Sequence, residues 1–175
     1  MGRRSDFKRI ARDNYPTPAP AAAPLLPWLG PRTQFIEPCA GEGRLVEHLI
    51  RAGHVLVDRF DLPDDARSAR YSVPAGAIFC TNPPFWGQPA DLHPLIVNLS
   101  DQAATWLLMS ADWLHNLSSA PLTPRLRMVV SIGRIKWIAD SPFTGKDNAI
   151  WCLFDRPAGV PTIFIGRVQE RRTRP

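Results

Sequence analysis

Residues 35–45 read Phe-Ile-Glu-Pro-Cys-Ala-Gly-Glu-Gly-Arg-Leu. The apolar run that begins at Gln34 halts at Pro38 and reads as a short buried strand. Gly41 and Gly43 follow and permit a tight turn. Leu45, Val46, Leu49 and Ile50 then recur at spacings of three and four, the pattern of a helix with one apolar face. Gly53 ends that helix. The valine-rich stretch His54–Leu62 reads as a second strand that finishes among acidic residues. Strand, glycine turn, helix and strand in succession make a βαβ unit, so the fold class is α/β with a parallel sheet.

Outward from this unit, the basic stretch 1–14 and the proline-rich lead-in to Pro31 show no regular pattern, apart from a short helix at Ala21–Leu29. Residues 63–75 are polar and give no element. Ala77–Thr81 is a short apolar strand, residues 89–101 a helix and Thr105–Ser110 another strand, with a short helix at Trp113–Leu117. The last third reads as strands at Arg127–Gly133 (extending to Ile138), Ala149–Asp155 and Thr162–Val168. Alternation early and strand succession late predict a mostly parallel sheet finished by an antiparallel element.

The glycine turn lies where open α/β sheets bind ligands, at the C-terminal end of a strand. Its spacing is not GxGxxG and no GK[ST] follows, so neither a dinucleotide fingerprint nor a phosphate loop is supported. Glu37 at the strand end would repel a pyrophosphate and suits a cationic ligand. Asn82-Pro83-Pro84-Phe85, directly after the next apolar strand, is the most specific signal in the chain. Two prolines fix the turn and surrender their N–H donors. An exocyclic amine has two N–H donors, and the Asn82 side-chain carbonyl with the Pro83 backbone carbonyl would accept both. Phe85 offers a flat face for stacking a base, and Trp86 beside it would line the same pocket.

Glu37-Pro38-Cys39-Ala40-Gly41-Glu42-Gly43 resembles the cofactor-binding loop of S-adenosylmethionine-dependent methyltransferases. The resemblance implies a Rossmann-like class I fold, with S-adenosyl-L-methionine as cofactor. Glu37 would then lie near the methionine ammonium and sulfonium end, with Gly41 and Gly43 letting the backbone approach. Asp61, in Phe60-Asp61-Leu62, takes the ribose hydroxyls on this pattern, and Asp58 competes for that role. Asn82–Phe85 resembles the [DNS]-P-P-[YFW] motif of amino-methyltransferases, in which the amine attacks the methyl group in line, without covalent intermediate or metal. Asp13-Asn14-Tyr15-Pro16-Thr17-Pro18 is similar to the D-x-Y-x-T-P motif of small phage-type DNA adenine-N6 methyltransferases, where Tyr15, Thr17 and Pro18 would close over the cofactor. Residues 141–155 resemble the late loop and strand of the same enzymes, with Phe143 or Lys146 facing nucleic acid.

These resemblances imply methyl transfer to adenine N6 in DNA by a domain at 15–168, with a basic arm at 1–14, a basic tail at 169–175 and no separate target-recognition domain. An RNA or protein-glutamine amino-methyltransferase, or an inactive nucleic-acid-binding relative, is the alternative. The pattern also departs from the family, since no acidic-Phe pair lies between the second strand and Ala77 to contact the cofactor's adenine ring. Sequence recognition then falls to loops, to the basic ends, to a homodimer partner, or is short and lax.

Charge fits a polyanionic substrate. The 175 residues carry 21 Lys+Arg against 16 Asp+Glu, but the excess is at the ends. Residues 1–12 hold Arg3, Arg4, Lys8, Arg9 and Arg12 against Asp6, and residues 167–175 hold Arg167, Arg171, Arg172 and Arg174 against Glu170. The body between is slightly acidic. Basic ends of this kind pair with phosphates. No apolar run reaches the length of a membrane span and no apolar segment follows the charged N-terminus as in a secretory signal. Cys39, Cys80 and Cys152 lack metal or disulfide spacing and read as buried apolar groups, which fits a reducing cytoplasm. His48, His54, His93 and His115 show no ligand spacing, so no metal is expected.

Overall fold

The Phe-Ile-Glu run forms β1 (Gln34–Glu37), whose last three residues are buried. In a computed structural model, residues 15–84, 89–138, 144–145 and 147–167 are described. Parallel neighbours flank β1 on both sides: β2 (Val55–Arg59) and β3 (Ile78–Thr81). β4 (Thr105–Ser110) continues the parallel set beside β3. β6 (Asn148–Phe154) runs antiparallel to β4, and β5 (Leu126–Arg134) antiparallel to β6. β7 (Ile163–Ile165) closes the sheet, giving the order β2-β1-β3-β4-β6-β5-β7.

Parallel strands need crossover connections, and helices supply them. α1 (Ala19–Ala22) precedes the sheet and runs into a 3₁₀ turn at Ala23–Trp28. α2 (Arg44–Arg51) joins β1 to β2, and α3 (Pro89–Gln102) joins β3 to β4. Alternate strand residues face opposite sides. Phe35, Cys80, Trp106 and Leu108 join Leu45, Val46 and Leu49 of α2 and Leu25 of the lead-in. Ile36, Phe79, Leu107 and Met109 join Leu95, Ile96 and Leu99 of α3. The two crossovers thus leave β1 and β3 on opposite faces and toward opposite edges. That opens a crevice above the carboxyl ends of β1 and β3.

Several boundaries differ from the sequence reading. The second strand stops at Arg59, opposite Glu37, because β1 ends there and offers no further ladder partner. Asp61 and Leu62 consequently lie in an exposed loop. β5 ends at Arg134 and does not extend to Ile138. β7 is three residues long and pairs with β5 in parallel, an arrangement the strand succession did not predict; Val168 lies outside the described residues. The expected short helix at 113–117 is a 3₁₀ turn at Ala111–His115, followed by a second at Leu117–Arg125. Pro121 and Pro124 within the latter deprive it of α-helical hydrogen bonds.

Candidate cofactor and substrate cleft

Glu37 is the last residue of β1 and only 1% exposed. Its carboxylate accepts the Cys39 backbone N–H at 3.1 Å. The loop that follows is stitched to the end of β2: Phe60 N–H donates to the Glu37 carbonyl at 2.8 Å, and Ala40 N–H to the Phe60 carbonyl at 2.8 Å. Gly41 and Gly43 have φ of 49° and 81°, in the left-handed region that glycine enters without strain. Gly43 is the N-cap of α2, and a Cβ there would stand 2.9 Å from the Arg59 guanidinium. The turn is therefore shaped by both glycines, and the chain enters α2 with the Glu37 carboxyl beneath it.

Burial dominates the electrostatics of this floor. It raises the Glu37 carboxyl from 4.5 to about 8, with a smaller push from the Asp61 charge, while the Cys39 amide and Thr81 partly offset it. The Cys39 thiol is raised to about 12, again chiefly by burial and next by Glu37, which leaves it unreactive at neutral pH. A cation entering the cleft would restore the Glu37 charge that burial suppresses.

The opposite wall is built at the end of β3. Asn82 follows Thr81 directly, Pro83 is buried and Pro84 is exposed at the rim. Asn82 Nδ2 donates to the Tyr15 carbonyl at 3.3 Å and to Thr17 Oγ1 at 3.0 Å. A carbonyl oxygen only accepts, so the Tyr15 contact fixes which end of the carboxamide carries nitrogen. Asn82 Oδ1 is left buried with no hydrogen-bond partner among the described residues. His48 Nε2 of α2 donates to the Thr17 carbonyl at 3.1 Å. The segment Tyr15–Thr17 is thereby a strap across the crevice, pinned by α2 on one side and by Asn82 on the other.

Thr17 is 4% exposed, and its hydroxyl is turned onto Asn82. Thr17→Val keeps the shape but removes this acceptor. The carboxamide then rotates more freely, and kcat is expected to fall about tenfold with cofactor affinity nearly unchanged, whereas Thr17→Ser should restore the rate. Steady-state kinetics with calorimetry of cofactor binding reads both.

Tyr15, Thr17, Glu37, Gly41, Asp61 and Asn82 border one cleft, with Pro84 at its rim. Pro18, at the N-cap of α1, Pro38, Pro83 and Gly43 stand behind it as turn residues. Asp58 does not border it: this residue is exposed on β2, and its carboxylate accepts the Arg59 N–H at 2.8 Å. Phe85, Trp86, Lys146, Arg3, Arg4, Lys8 and Arg9 lie outside the described residues. Cys39 and Leu62 also border the cleft, and His48 braces the strap, three residues that carried no spacing signal of their own. Among the described residues no cluster of His, Cys, Asp and Glu has the geometry of a metal site.

The residues present fit S-adenosyl-L-methionine. The buried Glu37 carboxyl suits its ammonium and sulfonium charges, exposed Asp61 its ribose hydroxyls, and the glycine turn lets it lie against backbone.

No family model matches the chain, and no curated protein matches it. Solved structures do. A protein from Vibrio vulnificus, described as the modification subunit of a type I restriction enzyme, is similar with a TM-score of 0.59 at 13% identity. The match covers 91% of this chain and 48% of that one, so this chain spans about half its length. A protein from Pyrococcus horikoshii, described as an RNA methyltransferase, gives 0.55 at 14% identity, covering 89% of this chain and 93% of that one. A protein from Listeria monocytogenes, described as a class I S-adenosylmethionine-dependent methyltransferase, gives 0.54 at 6% identity, covering 91% and 68%. Sheet order, crevice and neighbours agree: the fold is the Rossmann-like class I methyltransferase fold.

Proposed function

We propose that the chain transfers a methyl group from S-adenosyl-L-methionine to the exocyclic N6 amine of adenine in DNA. The observation that carries this reading is Asn82 Oδ1, buried at the end of β3 and unpartnered among the described residues, with the carboxamide oriented by its Nδ2 bonds. An unsatisfied buried acceptor costs about 1–3 kcal/mol, a cost that an N–H donor from a substrate amine removes. Oδ1 accepts one amine hydrogen, and the motif resemblance assigns the other to the Pro83 carbonyl, although Pro83 does not itself border the cleft. Both contacts draw hydrogen away from nitrogen and direct its lone pair along one line.

When bound, the sulfonium supplies an electrophilic methyl whose bond to sulfur breaks as the amine nitrogen bonds to carbon. The protein's work is positioning and charge stabilisation. Glu37 and Asp61 hold the cofactor end, the strap fixes Asn82, and the methylated nitrogen, cationic once the new bond forms, gives up its extra proton to solvent water. A base inside a duplex must leave its stack to reach Asn82, at a cost of a few kcal/mol.

The D-x-Y-x-T-P resemblance, the basic ends and the restriction-modification neighbour support DNA as substrate. The Pyrococcus horikoshii neighbour, described as an RNA methyltransferase, supports RNA, the second reading. Incubation with methyl-labelled cofactor and unmethylated DNA, RNA or protein separates them. Label is expected in DNA; label confined to RNA or to protein would replace the DNA reading.

A further inference from the structure

The sheet order carries a second feature to the edge where the cleft opens. β6 opposes β4 and β5 opposes β6, so β5 ends on the edge where β1 and β3 end. β7 runs parallel to β5 and delivers Arg167 to the same edge. Beyond β5 the alternation continues: Arg134 and Lys136 are exposed, Ile135 is buried and Trp137 is half-buried. Gly145 N–H donates to the Ile135 carbonyl at 2.7 Å and anchors this segment. A Cβ at Gly145 would crowd that same oxygen at 2.9 Å.

This segment touches the cleft wall. The Trp137 ring lies 6.2 Å from the ring of Tyr15, whose carbonyl holds Asn82. Arg167 crosses the end of β5 over Gly133, where φ is 90° and a Cβ would come within 2.9 Å of the guanidinium. Only glycine admits the side chain there. Arg134, Lys136 and Arg167 are exposed, and none of their side chains makes an ion pair or hydrogen bond among the described residues. Arg44, Arg67 and Arg125, by contrast, are engaged by Glu47, Asp65 and Asp101.

We propose that Arg134, Lys136 and Arg167 form a docking surface for the phosphodiester backbone of DNA, alongside the cleft that receives the base. The proposal rests on the DNA reading above and adds to it a surface among the described residues, made of Arg134 and Lys136 after β5 and of Arg167, the first residue of the basic C-terminal end. Three cations without an ion pair or hydrogen bond among the described residues stand at one rim, joined to the cleft wall through Trp137 and Tyr15, and complement a polyanion that must be held while one base enters. Each phosphate so neutralised releases counterions, which makes binding depend on salt.

The test is anisotropy titration of a labelled DNA duplex with the full chain over a series of salt concentrations. Arg134→Ala, Lys136→Ala and Arg167→Ala are combined in one variant, and methyl transfer by the wild type is measured alongside. The log–log salt slope is expected to become shallower by about 2.7, three contacts at about 0.9 each. Cofactor affinity should be unchanged, which shows that the variant is folded. Arg134→Lys with Arg167→Lys, which keeps the charge, should keep the slope. A slope equal to the wild type's overturns the docking surface, as does a wild type that binds no duplex at low salt. Label in DNA with an unchanged slope removes the surface and leaves the DNA reading standing. A shallower slope with label only in RNA removes the DNA reading and supports the surface.

Discussion

Replacing Asn82 by alanine is expected to lower the rate of methyl transfer by about 10³ while leaving cofactor affinity within a few fold. Losing one preorganised group at a site of developing charge typically costs 10²–10³ in rate. Here the same side chain also aligns the nucleophile, so the upper end is expected. Asn82, a residue of the cleft wall, reaches the strap through Nδ2 and leaves Oδ1 buried without a partner among the described residues. Among the described residues, none of its hydrogen bonds is to the glycine turn or to Asp61. Single-turnover rates and calorimetry separate the two effects. Lost cofactor affinity in the variant would contradict the assignment. Asn82→Asp provides a second reading: it retains an acceptor but sets a carboxylate oxygen against the Tyr15 carbonyl, and its rate should fall nearly as far.

Glu37 governs the second large effect. Its carboxyl titrates at about 8 in the free protein, against 4.5 for the exposed group. The free protein therefore holds a proton there at pH 7. A cationic cofactor favours the carboxylate, so binding below pH 8 expels that proton. Affinity is expected to rise about tenfold per pH unit from roughly pH 6 toward 8 and then level off. Glu37→Gln should weaken binding and flatten the profile; calorimetry in buffers of different ionisation enthalpy would detect the proton in the wild type alone. The sign for stability is opposite. A raised folded-state value means the contribution is full below about 4.5 and is lost as pH rises to about 8. Wild type should thus lose stability over this range relative to Glu37→Gln, which carries no such proton. A pH-independent affinity would remove Glu37 from the cofactor end.

The unit from β1 to β2 was legible because each of its parts has a local cause: an apolar run, a left-handed turn that needs glycine, and an apolar stripe at helical spacing. The turn at Asn82–Pro84 was legible as the end of β3 because two prolines cannot continue a strand's ladder. What could not be read locally was contact across distance. The bond from Asn82 to Thr17 spans 65 positions, and that from Trp151 Nε1 to the Ala21 carbonyl, 2.8 Å and buried, spans 130. Neither Thr17 nor Ala21 carries a pattern that names its partner. Residues 63–75 hold no strand or helix, yet they are tied down. Tyr71 packs 4.8 Å from Phe60 and 5.2 Å from Phe79, and Asn98 Nδ2 donates to the carbonyls of Ala66 and Ala69. Their order comes from α3 and the sheet, so their own polar composition could not announce it. The same holds for Asp61, whose place at the cleft follows from where β1 stops.

The central claim is that the oriented Asn82 carbonyl presents an adenine amine for methylation. Digestion of DNA to nucleosides after incubation with the chain and S-adenosyl-L-methionine, followed by mass spectrometry, tests it most directly. The expected product is N6-methyldeoxyadenosine, absent when Asn82→Ala is used. Methylated cytosine, or adenine methylated equally by wild type and Asn82→Ala, would contradict it.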